Sequence, residues 1–371
     1  MKLGDHVLIA ALSGRALAAC ARRAGYRPLV ADLFGDLDTR DLAEASECVP
    51  GTLSRGFAQS ALFAALDRLS VGRRVIGVVT GSGFEDRPRV LRALAARYGL
   101  LGNPAEVVSA VKDPFRFAET CARADVPHPD IRYDLPRGEG WLRKRAGGSG
   151  GVHVAVPARR AVARRGWYYQ RRVAGEPISA AFLAAGGKCR VLGMSRQWAD
   201  PAPLQPYRYG GASRPALLSA TRAADIEDAV ARLVANTGLR GLNSADFLVR
   251  EDGFNVLEVN PRPGATLDIF ADAQGALFRW HLDACHGTLP DTAPVFPGAA
   301  ATAIVYATRD ITLSPPFPWP AWTADRQAPG SSVPRGVPLC TVLADAADAY
   351  SAERMVRDRA AAILACAERV P

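Results

Sequence analysis

The first apolar run of the chain, HVLIA at 6–10, has the length and continuity of a strand buried on both faces. SGRALAACARRAGY follows with helical periodicity, and RPLVADLF is a second apolar run, so the order β-α-β predicts a parallel sheet. Helical spacing recurs near 55–69, and VIGVVTGSGFEDRP is a further strand ending in a glycine-rich turn. Ligands favour the carboxyl ends of parallel strands, which places Gly81, Ser82, Gly83 and Glu85 where a substrate can bind. The same residues also fit a plain turn. G-x-G-x-x-G is absent after the first strand, so a tight dinucleotide site is not expected.

NPAEVVSAVKDPFRFAETCARADVPHPD reads as two helices with a short break, and IRYDL as the exit into a strand. The texture then changes to a mainly antiparallel middle third. GWLRKRAGGSGGVHVAV reads as strand, glycine loop, strand; WYYQRRVAGEPISAAFLAA and KCRVLGMSRQWA continue the pattern. ADIEDAVARLVANTG is an amphipathic helix with Ile226, Val230, Leu233 and Val234 on one face. After ~290 short strands and prolines lead to a final helix from about 351 to 369.

Chemistry concentrates in SADFLVREDGFNVLEVNPRPG. Side chains alternate along a strand, so Asp246, Leu248 and Arg250 share one face, and Val256, Glu258 and Asn260 share another. A three-residue loop Glu251-Asp252-Gly253, ending in a left-handed glycine, pairs Arg250 with Phe254 and sets Asp246 directly opposite Glu258. A two-residue Asp252-Gly253 turn would place Asp246 on the other face; the three-residue register is the one expected. Asp246, Glu258 and Asn260 then converge as oxygen ligands. Adjacent carboxylates repel unless a cation sits between them, and magnesium favours oxygen ligands completed by phosphate and water. A solvent-facing hairpin with incidental acids fits the pattern equally well.

Composition narrows the classes. The 371 residues are 49% hydrophobic and 22% charged, an ordinary globular balance for two or three domains. No apolar run approaches the ~18 residues a membrane span needs. Asp5 and Arg15 bracket the first apolar segment and Arg22 and Arg23 continue a helix, which argues against a signal peptide. Seven scattered single cysteines fit reduced thiols, and a cytoplasmic location is expected. His281, Cys285 and His286 read as a helix end, not a metal site. A formal charge of +9 raises nucleic acid as a partner, but the arginines are spread along the chain. Their densest cluster, Arg159, Arg160, Arg164 and Arg165, reads as a solvated helix face. Small anions such as nucleotide phosphates and carboxylates fit better.

Lysine is scarce: Lys2, Lys112, Lys144 and Lys188 stand against abundant arginine. A compact ammonium kept at 112 and 144 hints at a need that a guanidinium does not meet. Lys144 leads into Gly147, Gly148, Ser149, Gly150 and Gly151, a flap whose free backbone N–H groups suit phosphate. A flexible glycine hairpin is the alternative.

Lys112, then Lys144 with its flap, then YQRRVAGEPIS, then the acidic strand ending in E-x-N resemble, in that order, the ATP-grasp superfamily over about residues 75–290. The resemblance implies an α/β protein with an α+β centre. It would have a Rossmann-like parallel domain at 1–105, ATP-binding subdomains at 106–175 and 176–292, and a small β-rich segment with a final helix at 293–371. It also implies that Lys112 and Lys144 contact ATP phosphates. Gln170, Arg171, Arg172 and Val173 would form the hinge beside adenine, and Glu176 would meet the ribose. Asp246, Glu258 and Asn260 would hold magnesium, or manganese in its place, and Arg262 would stabilise an acyl phosphate or substrate carboxylate. Many relatives carry a glutamate near Gln170 and Arg171; this chain does not.

A narrower set, GSGFEDRP, YRYGGAS and DRQAPGSSVPRGVPLCTVLA, is similar to ATP-dependent carboligases associated with tetrahydromethanopterin- and methanofuran-type cofactors. The implied activity is a carboxylate–amine ligase acting through an acyl phosphate on small-molecule substrates. The alternatives are carboxylation through carboxyphosphate, as in biotin carboxylase, and non-catalytic ATP binding. Tyr207 to Ser213 and the turn at 81–85 are the expected pocket walls. A homo-oligomer is compatible with each reading.

Overall fold

A computed structural model describes residues 4–53, 55–158, 164–270, 274–292 and 295–368. Strands His6–Ala10, Arg27–Asp32, Ala45–Cys48 and Val75–Thr80 form the expected parallel sheet, with His6–Ala10 between Arg27–Asp32 and Val75–Thr80. The strand order reverses on either side of His6–Ala10, so the crevice beyond its end and that of Val75–Thr80 is the switch point where ligands bind in such sheets. Leu12 and Gly83 line up there: the Leu12 N–H donates to the Ser82 carbonyl at 3.0 Å. Gly83 has φ +108°, and a Cβ on it would come within 2.8 Å of the Leu12 side chain.

The antiparallel third is an eight-stranded sheet. Strands Glu176–Ala185, Lys188–Ala199, Tyr209–Arg214, Gly241–Val249 and Phe254–Asn260 build one part, and Ala299–Tyr306 and Pro338–Ala346 continue it without a break. The late strands are therefore long and share the central sheet. Helix Ala349–Glu368 covers them through Ala352, Val356 and Ile363. One core joins the parallel sheet to the large one: Val7, Ile9 and Leu17 pack with Leu183, Phe270, Phe278 and Leu282. Helix Ala220–Ala235 buries the predicted Ile226, Val230, Leu233 and Val234 against the opposite side, beside Phe182 and Phe247.

Two expected elements differ. The return strand VHVAV reduces to a single bridge, in which Arg143 and Ala155 exchange backbone hydrogen bonds at 2.8 and 3.0 Å. IRYDL is a strand only over Ile131–Arg132. Of the expected arginine helix face, Arg159 and Arg160 lie outside the described residues. Arg164 and Arg165 are exposed in the turn that enters strand Trp167–Arg171. Among the described residues no helix is long and apolar enough to cross a membrane.

His281 sits inside helix Ala276–Cys285 and is 2% exposed. Its Nδ1 accepts from the Leu242 N–H at 2.9 Å, and Nε2 lies 3.2 Å from the Leu101 carbonyl, so the neutral Nε2–H form satisfies both. It thus ties the parallel domain to the central sheet. Burial pushes its pKa from 6.5 to about 4. Between those values the unfolded chain binds a proton that the folded one does not, so stability falls as pH drops. The loss should reach about 3 kcal/mol at pH 4. Urea midpoints compared at pH 7 and 5 check this: His281→Leu should be less stable at pH 7 and show a shallower acid decline.

Candidate functional site

Residue Asp246 does pair with Glu258, and Ser244 with Asn260, on the hairpin Gly241–Val249 and Phe254–Asn260. The far end is shifted by one: Val249, not Arg250, pairs with Phe254. The Arg250 N–H donates to the Gly253 carbonyl at 2.8 Å, closing a four-residue turn. A bulge at Leu257 absorbs the extra residue and flips the alternation. Val256 therefore faces the core with Phe247 and Val259, whereas Glu258 and Asn260 face the cleft.

Lys112 is the last residue of helix Ala105–Lys112, where Asp113 ends that helix and caps the next by accepting from the Phe115 and Arg116 N–H groups. That break aims the lysine across the cleft. Its Nζ donates to Glu258 Oε2 at 3.0 Å and Asn260 Oδ1 at 2.9 Å. Asn260 Nδ2 donates to Asp246 Oδ2 at 2.9 Å, and Ser179 Oγ to Asp246 Oδ1 at 2.7 Å. Burial and the neighbouring Glu258 push the Asp246 carboxyl up; burial also works to raise Glu258, but Lys112 and Lys144 outweigh it and bring it down. Among the described residues no group of three His, Cys, Asp or Glu side chains is placed for a metal. The set here is two carboxylates and an amide, all oxygen donors, and a cation already rests on two of them. That chemistry fits a hard divalent ion.

Lys144 lies on strand Trp141–Arg145 opposite Tyr168, and its Nζ donates to Gln170 Oε1 at 3.0 Å. Burial lowers its pKa. Lys112, Gly147, Gly148, His153, Tyr168 and Glu258 bound a cleft of about 340 Å³. His128 and His153 also line it, and burial pushes both down to about 4, so both are neutral at pH 7.

The flap is seated. Gly147 abuts Asp86, Gly148 lies over the His153 ring, and the Gly150 carbonyl accepts from the Tyr209 N–H at 2.9 Å. It thereby touches Asp86, just past the expected wall at 81–85, and Tyr209, within the expected wall at 207–213. Arg262 follows the acidic strand, and its Nε donates to Glu85 Oε1 at 2.7 Å; Glu85 Oε2 also accepts from the Gly83 and Phe84 N–H groups. Burial opposes ionisation of Glu85, but Arg262 and Lys112 hold its carboxyl below the usual range.

Lys112, Lys144, Gln170, Asp246, Glu258 and Asn260 thus gather around one cleft, with Arg262 fixed from the parallel domain. Arg171 and Arg172 are exposed, Val173 is half-buried, and Glu176 pairs with Arg196 at 2.7 Å. Among the hinge side chains only Gln170 is engaged with the lysines. His128, His153, Tyr168 and Ser179 were not anticipated. A histidine two residues past a glycine flap was the one available signal, and only for His153.

Comparison with known proteins adds to this geometry. Residues 111–266 match the family described as ATP-grasp domain. The ATP-grasp match begins one residue before Lys112 and ends past Arg262, so it holds every residue of the cluster except Glu85. No curated protein matches the chain. The biotin carboxylase domain of Hydrogenobacter thermophilus 2-oxoglutarate carboxylase, solved with MgADP, ADP and bicarbonate, is similar at 15% identity and TM-score 0.72, over 96% of this chain and 89% of that one. N5-carboxyaminoimidazole synthetase from Staphylococcus aureus, complexed with ADP, is similar at 12% identity and TM-score 0.69, over 97% and 98%. L-amino acid ligase from Bacillus licheniformis is similar at 16% identity and TM-score 0.71, over 96% and 97%. At these identities the likeness is one of fold.

Proposed function

We propose that the protein is an ATP- and magnesium-dependent ligase that joins a carboxylate to an amine through an acyl phosphate. The observation that carries this reading is the Lys112 ammonium held by Glu258 and Asn260 beside Asp246, under a glycine flap. Magnesium held by Asp246, Glu258 and Asn260 would supply charge neutralisation at phosphate oxygens. Lys112 and Lys144 bring further positive charge to the transferred phosphoryl group. Arg262, fixed by Glu85, orients the substrate carboxylate or its acyl phosphate. The carboxylate oxygen takes the γ-phosphoryl group and ADP leaves; the amine then attacks the acyl carbon, and phosphate leaves as the amide forms. No enzyme nucleophile is needed on this route. The seated flap excludes water that would otherwise hydrolyse the acyl phosphate.

The motifs around 81–88, 207–213 and 325–344 support a finer assignment, addition of glutamate or a similar amino acid in assembly of a tetrahydromethanopterin- or methanofuran-type cofactor. The bicarbonate in one similar structure favours carboxylation through carboxyphosphate as the second reading. ADP release with magnesium-ATP, measured across a panel of amino acids, amines and bicarbonate, separates the two. Stimulation that requires a carboxylate–amine pair supports the ligase. Phosphate release driven by bicarbonate alone would replace it with the carboxylase.

A further inference from the structure

Charge on this chain is distributed unevenly. Residues 130–172 contain eleven Lys and Arg against three Asp and Glu, a net +8 out of the chain's formal +9. The cause is a surplus of bases, about twice their frequency over the whole chain, more than a shortage of acids. Most of that charge is also not used by the cleft. Strands Ile131–Arg132, Trp141–Arg145 and Trp167–Arg171 form a three-stranded sheet with Trp167–Arg171 in the middle. Lys144, paired with Tyr168, and Gln170 occupy the cleft face. The pairs Trp141–Arg171, Arg143–Tyr169 and Arg132–Tyr169 put Arg132, Arg143 and Arg171 together on the opposite face.

These arginines differ from most of those that anchor the rest of the molecule. Arg15, Arg68, Arg196, Arg208, Arg262 and Arg326 all pair with carboxylates. Among the described residues, Arg132, Arg143 and Arg171 form no ion pair with an acid. Each lies over an aromatic ring instead: Arg132 and Arg171 over Trp141 at 5.6 and 5.5 Å, and Arg143 over Trp167 at 4.5 Å. A stacked guanidinium keeps N–H groups at its edge that match a carboxylate fork; Arg171 Nη1 also donates to the Glu139 carbonyl at 3.0 Å. Arg164, Arg165 and Arg172 extend the exposed charge. At the flap end, Arg145 on the same strand reaches the cleft and lies 3.9 Å from Asp86, so the surface adjoins the site.

We propose that this outer sheet face binds an extended acidic polypeptide segment through Arg132, Arg143 and Arg171. Charge complementarity selects a polyanion, and the rings select its type. Single-stranded nucleic acid binds by stacking bases on open aromatic faces. Here Trp141 is 8% exposed and arginines cover both tryptophans, so what is offered is guanidinium edges.

The test uses the full-length protein, fluorescein-labelled deca-L-glutamate and fluorescence anisotropy. The wild type should bind, and raising salt from 50 to 200 mM should weaken binding on the order of tenfold or more, because the contacts are exposed charges. R132S/R143S should bind at least tenfold more weakly while its thermal midpoint and its affinity for a fluorescent ATP analogue stay at wild-type values. A decamer of deoxythymidine should bind more weakly than decaglutamate. Wild-type protein that ignores decaglutamate, a double variant that binds as well as the wild type, or a preference for the oligonucleotide would each overturn the proposal. None of these readouts depends on turnover, so the surface and the ligase reading stand or fall separately.

Discussion

Glu258→Ala should reduce ATP turnover at least a hundredfold, about 3 kcal/mol of transition-state stabilisation. The side chain does two jobs in the cleft. It is one of two carboxylates on the paired strands, and it is the anion against which Lys112 rests at 3.0 Å. Removing it leaves Lys112, 4% exposed at its side chain, with the Asn260 carbonyl as a neutral partner. An uncompensated buried ammonium costs several kcal/mol, so Glu258→Ala should also lower the thermal midpoint. Glu258→Gln separates the effects. It keeps an oxygen for Lys112 and the shape of the strand, yet lacks the negative charge that a divalent ion needs. The expected result is a midpoint closer to wild type with turnover still down by the same order. Single-turnover ADP formation measures it directly. Wild-type turnover in both variants would remove the basis for the ligase assignment.

The pairing of Asp246 with Glu258 matches the expected one because two departures from the expected hairpin cancel. The turn is shifted by one residue, so that Val249 pairs with Phe254, and the bulge restores the register at Asp246. What alternation could not show was the bulge at Leu257, which moved the turn by one residue and carried Val256 to the core. A bulge leaves no mark in a run such as FNVLEVN, since Val256 suits either face. Long-range partners were equally hidden. Glu85 and Arg262 are 177 positions apart, and each looked like a loop residue until the crevice brought them together. The late strands Ala299–Tyr306 and Pro338–Ala346 read as short because prolines and glycines surround them, yet their alanine-rich faces pack under helix Ala349–Glu368. The charge of the small sheet lay in the sequence as a doubled frequency of bases over 130–172, which a reading of the arginines as spread along the chain passes over.

Gly151→Ala should be the most damaging change in the flap, lowering kcat/KM for ATP at least tenfold, and Gly150→Ala is its control. Both glycines have left-handed backbone, φ +71° at Gly151 and +66° at Gly150, so a side chain costs each about 1–2 kcal/mol of backbone strain. Their surroundings differ. A Cβ at Gly150 meets nothing within 4 Å, whereas one at Gly151 would sit 1.7 Å from the Tyr207 carbonyl oxygen. That contact sets a fixed Cβ against a backbone carbonyl, so no side chain can rotate away, and the flap must lift off Tyr207. Lifting it also breaks the hydrogen bond from the Tyr209 N–H to the Gly150 carbonyl. Phosphate would then lose the backbone N–H groups that a seated flap provides, and water would reach the cleft. Gly151→Ala should therefore raise KM for ATP, speed substrate-independent ATP hydrolysis relative to ligation, and expose the flap to limited proteolysis. Gly150→Ala should change each by no more than a few fold. Because the two variants share the strain and differ in the contact, equal effects would mean that docking on Tyr207 plays no part in catalysis, and that the flap works open.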